Sequence, residues 1–600
     1  MKAIKIAILK LVFLLIVLIG TIAAYFVFTY EKTEDPAESI STATLPVITM
    51  KYREQNINVQ NGYTNEMQGK YMRQALTPYG EDGTVTLDIE RYANVIAAIS
   101  YQVRSVDTER LIDSEEIKEW TTDGEDIYVT LNMSNIMKED TEYLLIINLV
   151  TETHGNVYYY VHLKNPSGQD IEKQLEFVYD FSRLTISKEV TEKYGAYLEY
   201  DPSTDSSNLA NVNIKSSYDN IQWGDLKVTR ATDPVVTIKE ILGNIGCYEL
   251  QYKVKAQDEY GTEEYYNVTE YFRLRTVSSG MYLDVYERKA NQIFNPNTQS
   301  VSSTRINLGL DDDLKIHYKT SPTGSYVSFV KEGSLFMLDM EENKVTELFS
   351  FEKLTEEDVR IENKKFDIEI LSTDTKGNTM FMVYGYMAKG AHEGQVGVAL
   401  YQYDYKENQV TELIFVPSDR PFDIFRDSVG KFAYMTEENL LYFMVGNSIY
   451  TVTMDSNEYM QLVTGLTKGN YVINEYNNIL AWHENASVYD ADTIRVIDVD
   501  AKKDYTIQAP EGDRIKVIGF IGNDLVYGTA HTSDIYQNAS GQTVFPMYKV
   551  NVMVYGDGEN SSDSPEDEET NIIETYQKDN IYVTDVSIKE NVMTLQRKMK

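Results

Sequence analysis

The sequence predicts an all-β protein held at a membrane by a single N-terminal helix, and three observations predict it. An unbroken apolar run occupies residues 11–30, about the ~20 residues that a bilayer-spanning helix needs. Behind it the chain alternates apolar and polar residues in short runs bounded by Gly, Asn, Asp and Pro, the pattern of half-buried strands. The third is a repeat: Leu335-Phe-Met-Leu-Asp339-Met-Glu-Glu-Asn343-Lys-Val-Thr-Glu-Leu348 returns nearly residue for residue as Leu400-Tyr-Gln-Tyr-Asp404-Tyr-Lys-Glu-Asn408-Gln-Val-Thr-Glu-Leu413. Self-similarity at that spacing marks a fold built from copies of one unit.

Bulk properties bound the function. The 600 residues are too many for one core and, at roughly 150 per domain, imply about three or four units. With 93 acidic against 55 basic residues, the net charge of −38 argues against nucleic acid or anionic lipid as the main partner. A single cysteine, Cys247, excludes an intramolecular disulfide framework, so packing must supply the stability. The chain holds 47 tyrosines against 3 tryptophans. Tyrosine suits half-buried strands, and it also lines surfaces that bind sugar or peptide.

Taken in order, residues 1–10 carry Lys2, Lys5 and Lys10, and Glu31, Glu34 and Asp35 follow the apolar run. This asymmetry keeps the first ten residues cytoplasmic and places residues 31–600 outside, as a single-pass cell-membrane protein. Thr21-Ile22-Ala23-Ala24 resembles a signal-peptidase site, but Tyr25-Phe26-Val27-Phe28 continues the apolar run, so residues 11–30 read as an uncleaved signal anchor. Residues 31–45, rich in Glu, Asp, Ser, Thr, Ala and Pro, read as a solvated linker.

Residues 46–165 read as one β-sandwich, with strands around Val85, Ile99, Tyr128, Leu144 and Val157. Ahead of the Leu144 strand stands Met137-Lys-Glu-Asp-Thr141-Glu-Tyr143. It resembles the tyrosine corner of fibronectin type III and immunoglobulin-like domains, in which the tyrosine hydroxyl ties back to the preceding corner. Glu139 stands where that family usually has proline. Residues 166–279 read as a second sandwich of the same kind, with Gly246-Cys-Tyr248 ahead of the Leu250, Tyr252 and Val254 strand.

From residue 280 to 600 the repeat takes over. One meander cannot bury its own apolar face, whereas several arranged radially can, which is the β-propeller solution. Copies recur at offsets of about 45 to 65 residues, the range of four-stranded blades. Ser321-Pro-Thr-Gly324 followed by Tyr326-Val-Ser-Phe329 and the Leu335 to Asp339 strand resembles the WD40-like repeat of TolB-type propellers, with Thr323 in place of the usual aspartate. About six blades are expected. Residues 582–596 supply two strands of the last, and Met281 to Phe294 the other two.

A site is sought where blades depart from the plain pattern. Loops joining the second to the third strand of each blade open on one rim, so insertions there cluster in space. Two blades have tight turns at this point, Lys331-Glu332-Gly333 and Gly446-Asn447. Three carry long loops, each with a histidine and a carboxylate, and from these Lys389, His392, Glu393, His483, Glu484, His531, Asp534 and Tyr536 form the expected binding face. None of the spacings matches a helical metal pair, so no metal site and no cofactor is expected. The acidic Asp311-Asp312-Asp313 and Asp557 to Glu569 stretches lack the alternating spacing of a calcium loop and read as solvated turns.

No nucleophile, phosphate-loop or zinc-protease motif stands in the chain, so no catalytic residue is assigned. The composition and order fit a non-enzymatic, membrane-anchored ectodomain of a bacterial cell envelope. Its propeller then presents a binding face to a partner protein or a cell-surface polysaccharide. The alternative is a propeller-type enzyme acting on glycans through a carboxylate pair on the loop-rich face, because such pairs need no local motif.

Overall fold

The computed structural model describes residues 40–554 and 572–599, apart from 80–82, 134–137, 167–169, 205–207, 259–260, 298–300, 303–304, 314, 353–357, 361–363, 427–428, 430–431, 437–439, 454–457, 475, 477, 486 and 590–591. The expected anchor at residues 11–30 and the acidic Asp557 to Glu569 stretch lie outside the described residues. Among those described, no helix is long and apolar enough to cross a membrane.

Residues 46–165 form a two-layered β-sandwich. One layer runs Gln55–Asn61, Val47–Tyr52, Thr84–Glu90, Asp126–Asn132 and Thr121–Asp123; the other runs Leu76–Pro78, Gly155–Lys164, Glu142–Thr151, Ile96–Ser105 and Leu111–Ile117. Period-two alternation explains the core, since Val85, Leu87 and Ile89 from one layer meet Leu145, Ile147 and Leu149 from the other. Tyr143 is tied to the turn before its strand: the Lys138 backbone N–H donates to the Tyr143 hydroxyl at 3.1 Å.

Residues 166–279 are not a second sandwich. A helix, Ile171–Ser187, lies on a meander of long strands, Val235–Leu242, Ile245–Gln257, Glu263–Val277 and Gly280–Gln292. Ile171, Leu175, Val178, Phe181 and Leu184 are buried, and their spacing of three and four is helical, not alternating. Asp170 caps the first turn by accepting the Lys173 N–H, and Lys188 ends the helix in the left-handed conformation. Tyr248 makes no corner of its own; its hydroxyl donates to Gln174 on the helix. This sheet is continuous with the first layer of the sandwich through the parallel pairing of Val236 with Ile57. Asn58 seals the join, accepting the Ile238 N–H at 2.7 Å and donating to the Leu76 carbonyl at 3.1 Å.

Five four-stranded antiparallel sheets follow, spanning His317–Ser350, Phe366–Ser418, Ala433–Val463, Tyr471–Gln508 and Asp513–Gln577. Each is a propeller blade unit, here blades one to five. The repeated Asp and Asn have a common structural reason. Asp339 Oδ1 accepts the Glu341 and Glu342 N–H groups at 2.8 and 3.0 Å, and Asp404 Oδ1 accepts that of Glu407 at 3.0 Å. Four residues after each aspartate the chain turns left-handed, at Asn343 (φ 52°) and Asn408 (φ 48°), a conformation that asparagine tolerates better than most residues. Blade four repeats this with Asp498 and Lys502 (φ 54°).

Buried clusters join the blades in order: Phe349, Phe381 and Phe443 link blades one to three, Tyr442 and Leu480 link three to four, and Ile494 and Val517 link four to five. The expected closing blade is not made. Met281 to Gln292 pairs along Glu263–Val277 in the helix-on-sheet unit, because its alternation suits that sheet equally well. The hairpin Ile581–Lys589 with Val592–Met599 packs on blade five through Val583 and Val526. The described structure therefore holds five full blades and a two-stranded hairpin, against about six expected.

Candidate functional site

The rim loops are not used alike. The loop of blade two is spent as a joint with the N-terminal sandwich. Glu393 accepts the N–H groups of Thr44 and Leu45 at 2.7 and 2.9 Å and the Thr44 hydroxyl at 2.6 Å. Tyr386 donates to the Gly62 carbonyl at 2.9 Å, and the Thr64 N–H donates to that of Gly394 at 2.9 Å. Gly394 stands at φ 76°, where a side chain is strained, and a Cβ there would press on the Leu45 side chain at 2.5 Å. His392 lies flat on Phe415 with ring centres 3.8 Å apart and shares a 2.7 Å hydrogen bond with Glu412. Lys389 is buried, with its charge near that of Glu347. Lys389, His392 and Glu393 are thus used structurally.

His483 of blade four is a buried staple. Its Nδ1 lies 2.6 Å from the Ser487 carbonyl, and its Nε2 accepts the Val517 N–H of blade five at 3.0 Å. Those partners require a neutral ring protonated on Nδ1. Burial pushes its pKa down to about 4, the Ser487 bond opposes this, and the Lys516 charge adds to it. Glu484 stands at the surface, 3.6 Å from Arg495.

What remains open is the loop of blade five, residues 532–548, together with that of blade four. His531 stacks on Tyr548 with centres 4.3 Å apart, and both bind Asp513: His531 Nδ1 to Oδ1 and the Tyr548 hydroxyl to Oδ2, each at 2.7 Å. Burial and the Asp513 hydrogen bond push the Tyr548 hydroxyl up to about 12. Asp534 accepts the Tyr582 hydroxyl, tying the loop to the C-terminal hairpin. Beyond it Tyr536–Gln537 pairs with Thr543–Val544, around a turn in which Asn538 Oδ1 accepts the Ser540 and Gln542 N–H groups at 3.0 Å each. Tyr489 of blade four rests 6.4 Å from Phe545, with the Lys516 ammonium 5.2 Å over its ring.

The surface thus presented has the His531 side chain 47% exposed, with Tyr536 at 45% and Tyr489 at 37%. Exposed aromatics backed by a hydrogen-bonded acid can stack on a ligand and bond to it. Of the expected residues, His531, Asp534 and Tyr536 come together here. Asp513, Tyr548 and Tyr489 were not legible as members. Asp513 could have been found, because the hairpin folded at Gly522-Asn523 puts it opposite His531. Among the described residues no cluster of three or more His, Cys, Asp or Glu could hold a metal ion.

The sequence matches no protein-family model and no curated protein. Solved structures similar to the chain include the tricorn protease, at 13% identity over 53% of this chain and 31% of that one, with a TM-score of 0.23. The WD40 domain of SCAP from fission yeast matches at 8% identity over 61% and 80%, with a TM-score of 0.26. The putative TolB of Agrobacterium tumefaciens matches at 12% identity over 43% and 82%, with a TM-score of 0.18. The five sheets themselves, and not these likenesses, define the blade architecture.

Proposed function

We propose that the protein is a membrane-anchored, extracytoplasmic binding and scaffold protein of a bacterial cell envelope, presenting the rim of blades four and five to a partner protein or a polysaccharide. The observation that carries this is the unequal use of equivalent loops. Blade two's long loop is consumed by the sandwich, which holds the blades in a set orientation, while blade five's leaves Tyr536 and His531 half exposed beside Tyr489. The apolar residues 11–30, with lysines before them and acids after, support the anchor and its direction.

The test is site-specific photo-cross-linking of the full-length chain in intact cells, with the photoreactive residue at Tyr489, Tyr536 or, as control, the 59% exposed Tyr318 of blade one. A defined adduct at the first two positions and not at the third is expected. The same adducts at all three, or none at Tyr489 and Tyr536, overturn the rim assignment.

A further inference from the structure

A cleft of about 660 Å³ lies along the helix Ile171–Ser187, bounded by the tip of the sandwich at Gln55 and by Arg230. That volume is of the size that holds a small molecule. Its charge is opposite to that of the chain as a whole: Lys173, Arg183, Lys193 and Arg230 line it against Glu176 and Asp180. Three of the cations are already matched, Lys173 by Asp170, and Arg183 and Lys193 by Asp180.

Arg230 is different. Among the described residues it has no carboxylate within ion-pair distance; its Nη2 donates to Ser182 Oγ at 2.9 Å, and its guanidinium lies 5.1 Å over the Tyr252 ring. Its Nε is buried without an acceptor, and Gln55 Oε1, on the same cleft, is buried without a donor. An unpaired buried polar group is costly, so folded proteins rarely leave two on one cavity wall. The groups behind Arg230 hold it in place. Ser182 is 3.5 Å from the Tyr252 hydroxyl, which donates at 3.1 Å to the fully buried Glu270, itself bonded by Tyr286 at 2.8 Å. Tyr179 is pinned likewise, donating to the Asn56 carbonyl and accepting the Val236 N–H.

We infer that this cleft binds a carboxylate-bearing polyol, a sugar acid, with its carboxylate on Arg230, a hydroxyl donating to Gln55, and its C–H face on the tyrosines of the cleft wall. A guanidinium held by a hydroxyl and a ring, with no carboxylate partner among the described residues, matches a carboxylate. An acceptor with no donor calls for a hydroxyl, and the aromatic lining of Phe177, Tyr179, Tyr194 and Tyr197 suits a ring with an apolar face. The site is on a different unit from the blade rim, so its test is independent of the cross-linking experiment.

The test is calorimetric titration of the full chain with glucuronate, with a uronic-acid hexasaccharide, and with glucose as neutral control, on wild type, Arg230→Gln, Arg230→Lys and Gln55→Ala. Binding of either acid but not glucose is expected, at least about tenfold weaker in Arg230→Gln, the loss of one charge-assisted contact. Arg230→Lys should keep part of the affinity, and Gln55→Ala should weaken it separately while leaving the fold intact. Binding of glucuronate assigns a free sugar acid; binding of the hexasaccharide alone assigns a polysaccharide. Absence of binding by both acids at millimolar concentration overturns the inference, as does unchanged affinity in both Arg230→Gln and Gln55→Ala.

Discussion

Glu393 holds Thr44 with both carboxylate oxygens, one accepting its backbone N–H at 2.7 Å and the other its hydroxyl at 2.6 Å. A blade loop 349 residues away in sequence thereby grips the residues that lead into the sandwich. Arg360 reinforces the joint, its guanidinium 3.7 Å over the Tyr92 ring. Glu393→Ala leaves the Thr44 and Leu45 N–H groups without this acceptor and should cost about 3 kcal/mol. Limited proteolysis should then cut near residue 44 in the variant and not in the wild type, and unchanged protection would contradict the joint.

The repeated turn aspartates predict unequal costs. Asp339 also accepts the Tyr405 hydroxyl of the next blade at 2.7 Å and is only 5% exposed, whereas Asp404 bonds locally and is exposed. Asp339→Ala should lower stability by about 2 kcal/mol and Asp404→Ala by about 1 kcal/mol or less, with Tyr405→Phe near 1 kcal/mol. Chemical denaturation of the three variants reads the difference.

His483 predicts a fall in stability on mild acidification. Its folded pKa of about 4 lies below the ordinary imidazole value near 6.5, so the unfolded chain takes up the proton first. Stability is therefore full above about pH 6.5 and declines as pH falls toward 4, by at most about 3 kcal/mol for this group. Thermal melts across that window should show a shallower slope for His483→Asn than for wild type, whatever the variant's stability at neutral pH.

Glu142 acts at lower pH. Burial alone would raise its pKa, but hydrogen bonds from His162 and Arg73 and their charges outweigh it and bring the carboxyl to about 2. Its contribution is present above the ordinary glutamate value near 4.3 and is lost as pH falls toward 2. Arg73 also bonds Glu240 at 2.9 Å, so the same network ties the sandwich to the helix-on-sheet unit. Glu142→Gln should flatten the acid limb of the unfolding curve below about pH 4.3, and a limb identical to wild type would remove Glu142 from it.

Much was legible in the chain because it is local. Turn chemistry is written in four or five residues, so Asp339 to Asn343 and Asp404 to Asn408 announced the blade hairpins, and the alternation around Val85 and Leu145 announced the sandwich. The corner tyrosine Tyr143 carried its partner, Lys138, five residues away. The helix at Ile171–Ser187 was misread as part of a second sandwich, although the three-and-four spacing of its apolar residues is just as local.

The rest was decided by partners distant in sequence. Alternation at Met281 to Gln292 fits any sheet edge, and only pairing with Glu263–Val277 assigned it to the helix-on-sheet unit rather than to a closing blade. Histidines in long loops have the same composition whether a loop meets solvent, another domain or its own core. Tertiary packing sent Glu393 to Thr44, buried His483 against Val517, and left His531 and Tyr536 at the surface. It also left Arg230 on the wall of a cleft, with no carboxylate at ion-pair distance among the described residues. Sequence alone determined which segments form strands and turns, since those follow from nearest neighbours along the chain; which polar groups remain unspent followed only from the fold.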